Sequence, residues 1–303
     1  MLNLKGCGTA LVTPFRDGEV DYEAYASHID RQVKGNVDFL VPLATTGETP
    51  TLSEKEKLKL LEITRAHAKG LPLLVGCGSN SIPATLSNMK LLGPSGVDAW
   101  LVVVPFYNKP TQEGQYQYFK AIAESTDIPV VIYNVPGRTG ANMTAATCLR
   151  LAREVKNIIG IKEASGKIDQ VEEILKGLSQ DKEVAARFSV LSGDDDMTFD
   201  MMKLGARGVV SVASNIAPSE VSQMTSLMLK AQDGICPKAN EKKASEINGR
   251  LQPLFRNCFV ESNPIPVKAG LALQGYMTAE VRLPLTEATD KTKAIMAETL
   301  GIA

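Results

Sequence analysis

Histidine is nearly absent from this chain: His28 and His67 are the only two in 303 residues. Both lie in helical-looking segments away from any motif, so neither a Ser-His-Asp triad nor a histidine-rich metal site has the residues it needs. Cysteine is sparse as well. Cys7, Cys77, Cys148, Cys236 and Cys258 are odd in number and widely scattered. That pattern offers neither a disulfide framework nor zinc-ligand spacing, and reduced thiols in a cytoplasm are the expected state. Charge of one sign is also missing, since 33 Lys+Arg against 34 Asp+Glu leave a formal net charge of −1. A nucleic-acid partner therefore has no basic face to bind. No run approaches the roughly 18 apolar residues of a membrane span. The opening Met1-Leu2-Asn3-Leu4-Lys5 has no apolar leader stretch, so a cytoplasmic, membrane-free protein is expected.

What is present is an alternation. Short apolar runs predict strands at 8–14, 39–44, 71–77, 99–105, 128–133, 158–164, 188–193 and 208–214. Runs such as Leu101-Val102-Val103-Val104 and Val130-Val131-Ile132 are near-continuously apolar, as in parallel strands buried on both faces. A helical stretch follows each run: 22–34, from Ser53 to about Lys69, 82–92, 111–125, 144–154, 167–178, 196–203 and 218–232. Ser53-Glu54-Lys55-Glu56 reads as a capping box, and Gly70 as the stop. Eight strand–helix units predict an α/β fold, a (β/α)8 TIM barrel over 1–233. A doubly wound sheet is the alternative, but the first strand runs into Phe15-Arg16-Asp17-Gly18, which is no phosphate-binding turn. From Cys236 onward only helices are expected, at 238–260, 264–275 and 287–300. They form a small C-terminal helical appendage, 234–303, with no evident chemistry.

Barrel enzymes carry their reactive groups at the C-terminal ends of the strands. There the chain offers Ala44-Thr45-Thr46-Gly47-Glu48, Pro105-Phe106-Tyr107-Asn108-Lys109-Pro110, Tyr133-Asn134-Val135-Pro136-Gly137-Arg138-Thr139, Ile161-Lys162-Glu163-Ala164 and Ser192-Gly193-Asp194-Asp195-Asp196. Lys162 stands out because it sits inside an apolar run. Burial disfavours an ammonium, and a neutral amine attacks a ketone to form an imine that serves as an electron sink. The bland alternative is a lysine solvated at the strand end or paired with Glu163. Tyr133 ends the preceding strand and should neighbour Lys162, where a phenol can relay protons. Otherwise it is a half-buried rim aromatic. Thr45 and Thr46 precede a glycine and offer backbone N–H groups to a carboxylate, or else are plain turn residues. Arg138 suits bidentate carboxylate binding, or is simply solvated.

Taken together, these motifs resemble the pyruvate-dependent class I aldolases of the dihydrodipicolinate synthase / N-acetylneuraminate lyase family, and the resemblance runs through essentially the whole chain. Tyr133 to Gly140, with Arg138, looks like the synthase branch, because sialic-acid lyases generally lack that arginine. The resemblance implies that Lys162 holds pyruvate as a Schiff base and that Tyr133, Thr46 and Tyr107 form a proton relay. Tyr107 would reach into a neighbouring subunit's site. Thr45 and Thr46 would bind the pyruvate carboxylate, Arg138 would hold L-aspartate 4-semialdehyde, and Gly193 and Val210 would line the pocket. A homotetramer made of two dimers is implied, with no metal and no organic cofactor.

Two features depart from the family's pattern. At its lysine-inhibition site Asn80 matches, whereas Glu54, Lys57, Ala84 and Phe106 do not, so weak or absent feedback by lysine is expected. The stretch 179–187 looks longer than usual and is expected to be a solvated loop. Two rival functions stay open at this point: another pyruvate lyase on the same scaffold, and a non-catalytic keto-acid binding protein.

Overall fold

The computed structural model describes residues 2–302. Each apolar run forms a strand: β1 Gly6–Ala10, β2 Phe39–Val41, β3 Leu74–Gly76, β4 Ala99–Val103, β5 Val130–Asn134, β6 Ile158–Glu163, β7 Ser189–Ser192 and β8 Gly208–Ser211. All neighbours pair in parallel in the order β2-β1-β8-β7-β6-β5-β4-β3. A parallel bridge between Leu40 and Leu73 joins the two ends of that order. The sheet therefore closes on itself as a (β/α)8 barrel.

The strands bury both faces, as their composition requires. Inward residues such as Phe39, Val41, Leu74, Leu101, Val131, Leu191 and Val210 fill the barrel. Outward ones such as Leu40, Val75, Val102, Ile132 and Val209 join a separate core beneath the helices. Those helices are α1 Tyr22–Lys34, α2 Glu54–His67, α3 Ile82–Leu92, α4 Gln112–Glu124, α5 Ala145–Glu154, α6 Ile168–Ser179, α7 Thr198–Leu204 and α8 Pro218–Gln232. Their starts follow from side chains that accept the first free N–H groups. Asp21, Ser81, Thr111 and Thr144 cap α1, α3, α4 and α5, and Ser53 with Glu56 forms the expected capping box on α2. Three further helices follow, α9 Pro237–Asn257, α10 Ile265–Leu273 and α11 Asp290–Leu300, and α9 packs along α8.

Three local departures from expectation have simple causes. The first strand lies at Gly6–Ala10 rather than 8–14; its backbone ladder runs on to Leu11, whose N–H donates to the Val41 carbonyl at 3.1 Å, and past it Val12 N–H turns to the Asn215 side chain instead. Phe15–Arg16 and Glu19–Val20 form a small antiparallel hairpin, turned by Asp17 and Gly18 with φ of 53° and 83°, the left-handed pair that an Asp-Gly turn adopts. The stretch expected to be a solvated loop contains a helix, Lys182–Arg187, whose N-terminus Asp181 caps. Val184 is buried, and Arg187 donates to the Ile158 carbonyl at 3.1 Å. An apolar anchor and a tether to β6 order this segment where composition alone suggested solvation.

Candidate active site

Strict alternation along β6 would put Ile159 and Ile161 on one face and Lys162 on the other. The strand breaks that rule. Val130 pairs with Ile158, but Val131 pairs with Gly160, which leaves Ile159 as an extra residue. Ile159 faces the barrel interior, and Ile161 faces the helices. This bulge inverts the register of all that follows. Lys162 consequently points inward, paired with Tyr133 across the β5–β6 ladder. Its Nζ lies over the phenol ring, 4.0 Å from the centroid. Lys162 is 4% exposed and Tyr133 7%.

The alternative in which Lys162 pairs with Glu163 does not occur. Glu163 points to the opposite face, where its carboxylate accepts hydrogen bonds from Asn134 Nδ2 at 3.0 Å, Gln170 Nε2 at 3.1 Å and the Ser165 N–H at 2.8 Å. No carboxylate oxygen lies within ion-pair distance of Lys162 among the described residues. The amine is thus free for carbonyl chemistry.

Gly193, at the end of β7, is explained by the same amine. A Cβ there would sit 3.0 Å from Lys162 Cε and 2.6 Å from Ala164 Cβ, closer than real side chains pack. Two carboxyl groups, Asp194 and Asp195, follow directly in the chain. Burial pushes the Asp194 carboxyl up to about 6, against the pull of the Lys162 charge and with Asp196, Asp195 and Glu163 reinforcing the rise. Asp195 Oδ2 accepts the Val212 and Ala213 N–H groups, each at 2.9 Å, and so ties the end of β7 to the segment after β8.

A cavity of about 480 Å³ is lined by Tyr133, whose ring Lys162 Nζ overlies, and by Thr45, Arg138 and Asn263 among others; Lys162, Thr46, Gly193 and Val210 are not among its lining residues. Thr45–Gly47 forms one turn of 3-10 helix after β2. Thr46 is buried, and its hydroxyl accepts a hydrogen bond from Asn263 Nδ2 at 2.9 Å, which leaves the hydroxyl hydrogen free to donate. Asn263 Oδ1 is buried without a partner among the described residues. Arg138 stands on the short helix Pro136–Thr139 at the rim, exposed, its Nη2 3.4 Å from the Asn263 carbonyl. Val210 is fully buried in the barrel interior.

The structure thus brings Lys162, Tyr133 and Gly193 together, puts Thr45 and Arg138 on the cavity that Tyr133 also lines, and ties Thr46 to that cavity through Asn263. Tyr107 stands apart. It is 88% exposed on a strained loop, with φ of 71°. Asn263 was not legible in the sequence: it belongs to the tail expected to carry no chemistry, and it meets Thr46 across 217 positions. Among the described residues no group of three or more His, Cys, Asp or Glu side chains is arranged to hold a metal ion.

Comparison with known proteins gives a consistent result. The dihydrodipicolinate synthetase family matches residues 3–303. A 4-hydroxy-tetrahydrodipicolinate synthase from Phocaeicola vulgatus is 49% identical, over 97% of this chain and 97% of the relative. The crystal structure of dihydrodipicolinate synthase from Thermotoga maritima superimposes with a TM-score of 0.91 at 44% identity, covering 98% of this chain and 97% of that one. The chloride-inhibited dihydrodipicolinate synthase from Acinetobacter baumannii, complexed with pyruvate, superimposes with a TM-score of 0.90 at 36% identity, covering 99% of each chain.

Proposed function

This chain belongs to the dihydrodipicolinate synthetase family, and on that premise we propose that its barrel mouth condenses pyruvate with L-aspartate 4-semialdehyde. The product is 4-hydroxy-tetrahydrodipicolinate, in the biosynthesis of diaminopimelate and lysine. The observation that carries the proposal is the buried, unpaired Lys162 amine held 4.0 Å from the centre of the Tyr133 ring.

In this reading Lys162 Nζ attacks the C2 ketone of pyruvate, and loss of water leaves an imine. The imine draws electrons from C3, whose methyl group gives up a proton and becomes an enamine carbon. That carbon bonds to the aldehyde carbon of the second substrate, and the aldehyde oxygen takes up a proton. The substrate's own amine then attacks C2 and displaces Lys162 as the ring closes, which regenerates the free amine. The reaction so written needs no metal and no organic cofactor. Tyr133, with Thr46 and Tyr107, moves the protons. The amides and hydroxyls of Thr45 and Thr46 hold the pyruvate carboxylate, and Arg138 holds the carboxylate of the aldehyde. Gly193 and Val210 shape the pocket wall.

Tyr107 is too exposed to serve the relay of its own chain, so we assign it to the site of a second copy. A homotetramer built of two such dimers is part of the proposal. So is the division into a catalytic barrel, 1–233, and a C-terminal helical region, 234–303, the second lending Asn263 to the rim of the first. A cytoplasmic location completes it; no described helix is long and apolar enough to cross a membrane.

Borohydride reduction in the presence of pyruvate tests the reading directly. The protein should gain the mass of a reduced pyruvate adduct on Lys162 and lose activity in proportion. Absence of that adduct at saturating pyruvate refutes it.

A further inference from the structure

The turn that carries Thr45 and Thr46 is bracketed by two non-glycine residues in the left-handed region, Leu43 with φ of 55° and Glu48 with φ of 52°. Such residues hold unfavourable backbone geometry only where their surroundings enforce it. At Leu43 the enforcement is packing: a Cβ on Gly76 would stand 2.0 Å from the Leu43 carbonyl oxygen, so only a glycine lets β3 approach so closely. At Glu48 it is a buried ion pair. Glu48 and Lys268 are 3% and 0% exposed. Lys268 Nζ donates to Glu48 Oε1 at 2.7 Å and to the Thr13 carbonyl at 2.8 Å. It also lies 4.3 Å from the centre of the Phe15 ring. Glu48 Oε2 accepts the Arg282 N–H at 3.0 Å. Thr13 in turn donates from its hydroxyl to the Gly47 carbonyl at 2.8 Å. A ring of contacts, Gly47 to Thr13 to Lys268 to Glu48, therefore encloses the turn from below.

Stability does not account for this arrangement. Burying two ions costs desolvation that their attraction barely offsets, and a well-packed apolar pair of equal volume often does as well or better. The cost is visible here, since burial pushes the Lys268 amine down to about 8 although Glu48 opposes the shift. What the pair supplies that apolar packing cannot is direction: two hydrogen bonds and an aromatic face fix the ammonium, and two hydrogen bonds fix the carboxylate. We propose that Lys268 and Glu48 are positioning residues that hold the Thr45–Thr46 turn in register to receive the carboxylate of the keto acid. This rests on the pyruvate-imine reading above and assigns part of its binding machinery to α10.

The test compares Lys268→Met and the double variant Glu48→Gln/Lys268→Met with the unaltered full-length protein. The double variant leaves no orphaned buried charge, so it should fold even where the single variant does not. The readouts are melting temperature, pyruvate dependence of borohydride trapping on Lys162, and KM for each substrate. A positioning role predicts that the double variant melts near the unaltered protein yet needs about tenfold or more pyruvate for half-maximal trapping, because small misplacements of binding groups are costly. KM for the aldehyde should stay the same. A pair that serves folding alone predicts that the double variant recovers both melting temperature and pyruvate dependence, and that result overturns the inference. If the unaltered protein itself gains no mass, the imine reading fails and the inference falls with it; if it gains mass and the double variant traps pyruvate equally well, the inference alone fails.

Discussion

Lys162 and Tyr133 occupy paired positions on adjacent strands and share the barrel interior, because the bulge at Ile159 has already turned Lys162 inward. Replacing Lys162 with alanine should abolish borohydride trapping and lower kcat by roughly a thousandfold or more, since the covalent route is lost outright. Tyr133→Phe keeps the ring and removes only the hydroxyl. It should still form the adduct, with kcat reduced by roughly a hundredfold or more. Mass spectrometry beside steady-state rates separates the two, and a Tyr133→Phe enzyme with undiminished kcat would remove the phenol from the mechanism.

Gly193→Ala places a methyl group where Lys162 Cε and Ala164 already stand, 3.0 and 2.6 Å away. The lysine has to shift, so kcat should fall by about tenfold to a hundredfold and the melting temperature should drop. A variant with the parent's trapping rate would show that the pocket wall yields without cost.

Arg138 should act on one substrate only. Arg138→Ala is expected to raise KM for the aldehyde by about tenfold to a hundredfold, the range for losing a charge-assisted hydrogen bond. Pyruvate trapping should be unaffected. Lysine at this position should restore the function only in part, because it lacks the planar fork. A rise in KM for pyruvate instead would reassign the arginine.

Lysine feedback should be weak or absent. Lys57 lines the cavity beside Thr49, Pro50 and Thr51, and adds a repelling charge to any ligand amine. Ala84 supplies no carboxylate to hold one. Initial rates should be unchanged by millimolar lysine; strong inhibition defeats the expectation.

Acid should destabilise the fold through His28. The ring is 3% exposed, its Nε2 is 2.9 Å from Asn215 Oδ1, and its Nδ1 has no partner among the described residues. A second ring proton would therefore find no acceptor. Burial pushes the imidazole down to about 4, the Asn215 hydrogen bond opposing and the Arg31 charge adding to the fall. The unfolded chain binds this proton at about pH 6.5, the folded one only near 4. Stability from His28 is therefore complete above about 6.5 and is lost as pH falls toward 4, by about 3 kcal/mol in all. His28→Gln, which does not titrate, should flatten the decline in melting temperature between pH 7 and pH 4. Equal slopes would falsify the assignment.

How much of this was legible in the chain depends on range. All eight strands announced themselves because parallel barrel strands are apolar on both faces, and helices such as Tyr22–Lys34, Ile82–Leu92 and Pro218–Gln232 begin and end where capping residues, proline and glycine say they should. Lys162 and Tyr133 could be singled out because strand order makes their strands neighbours. The bulge that aims Lys162 could not be read, since an extra residue in a run of isoleucines leaves no trace in composition. The small hairpin at 15–20 leaves only the Asp17-Gly18 dipeptide as its signal, because two-residue strands carry no alternation. Asn263 and Lys268 lay beyond reach: their partners, Thr46 and Glu48, are 217 and 220 positions away, and no local pattern carries such a contact.

Those two long-range contacts have a consequence for how the enzyme comes into being. During synthesis the barrel strands leave the ribosome first, through Ser211, while Asn263, Lys268 and Arg282 are still to be made. Until they dock, the Thr45–Thr46 turn has no tether on its Glu48 side and Thr46 has no amide partner. A chain made as far as Ser211 has every barrel strand and Lys162 but lacks these partners of the turn, so on the proposed reading competence waits for the segment 263–282 to be made and docked rather than arriving with the last strand.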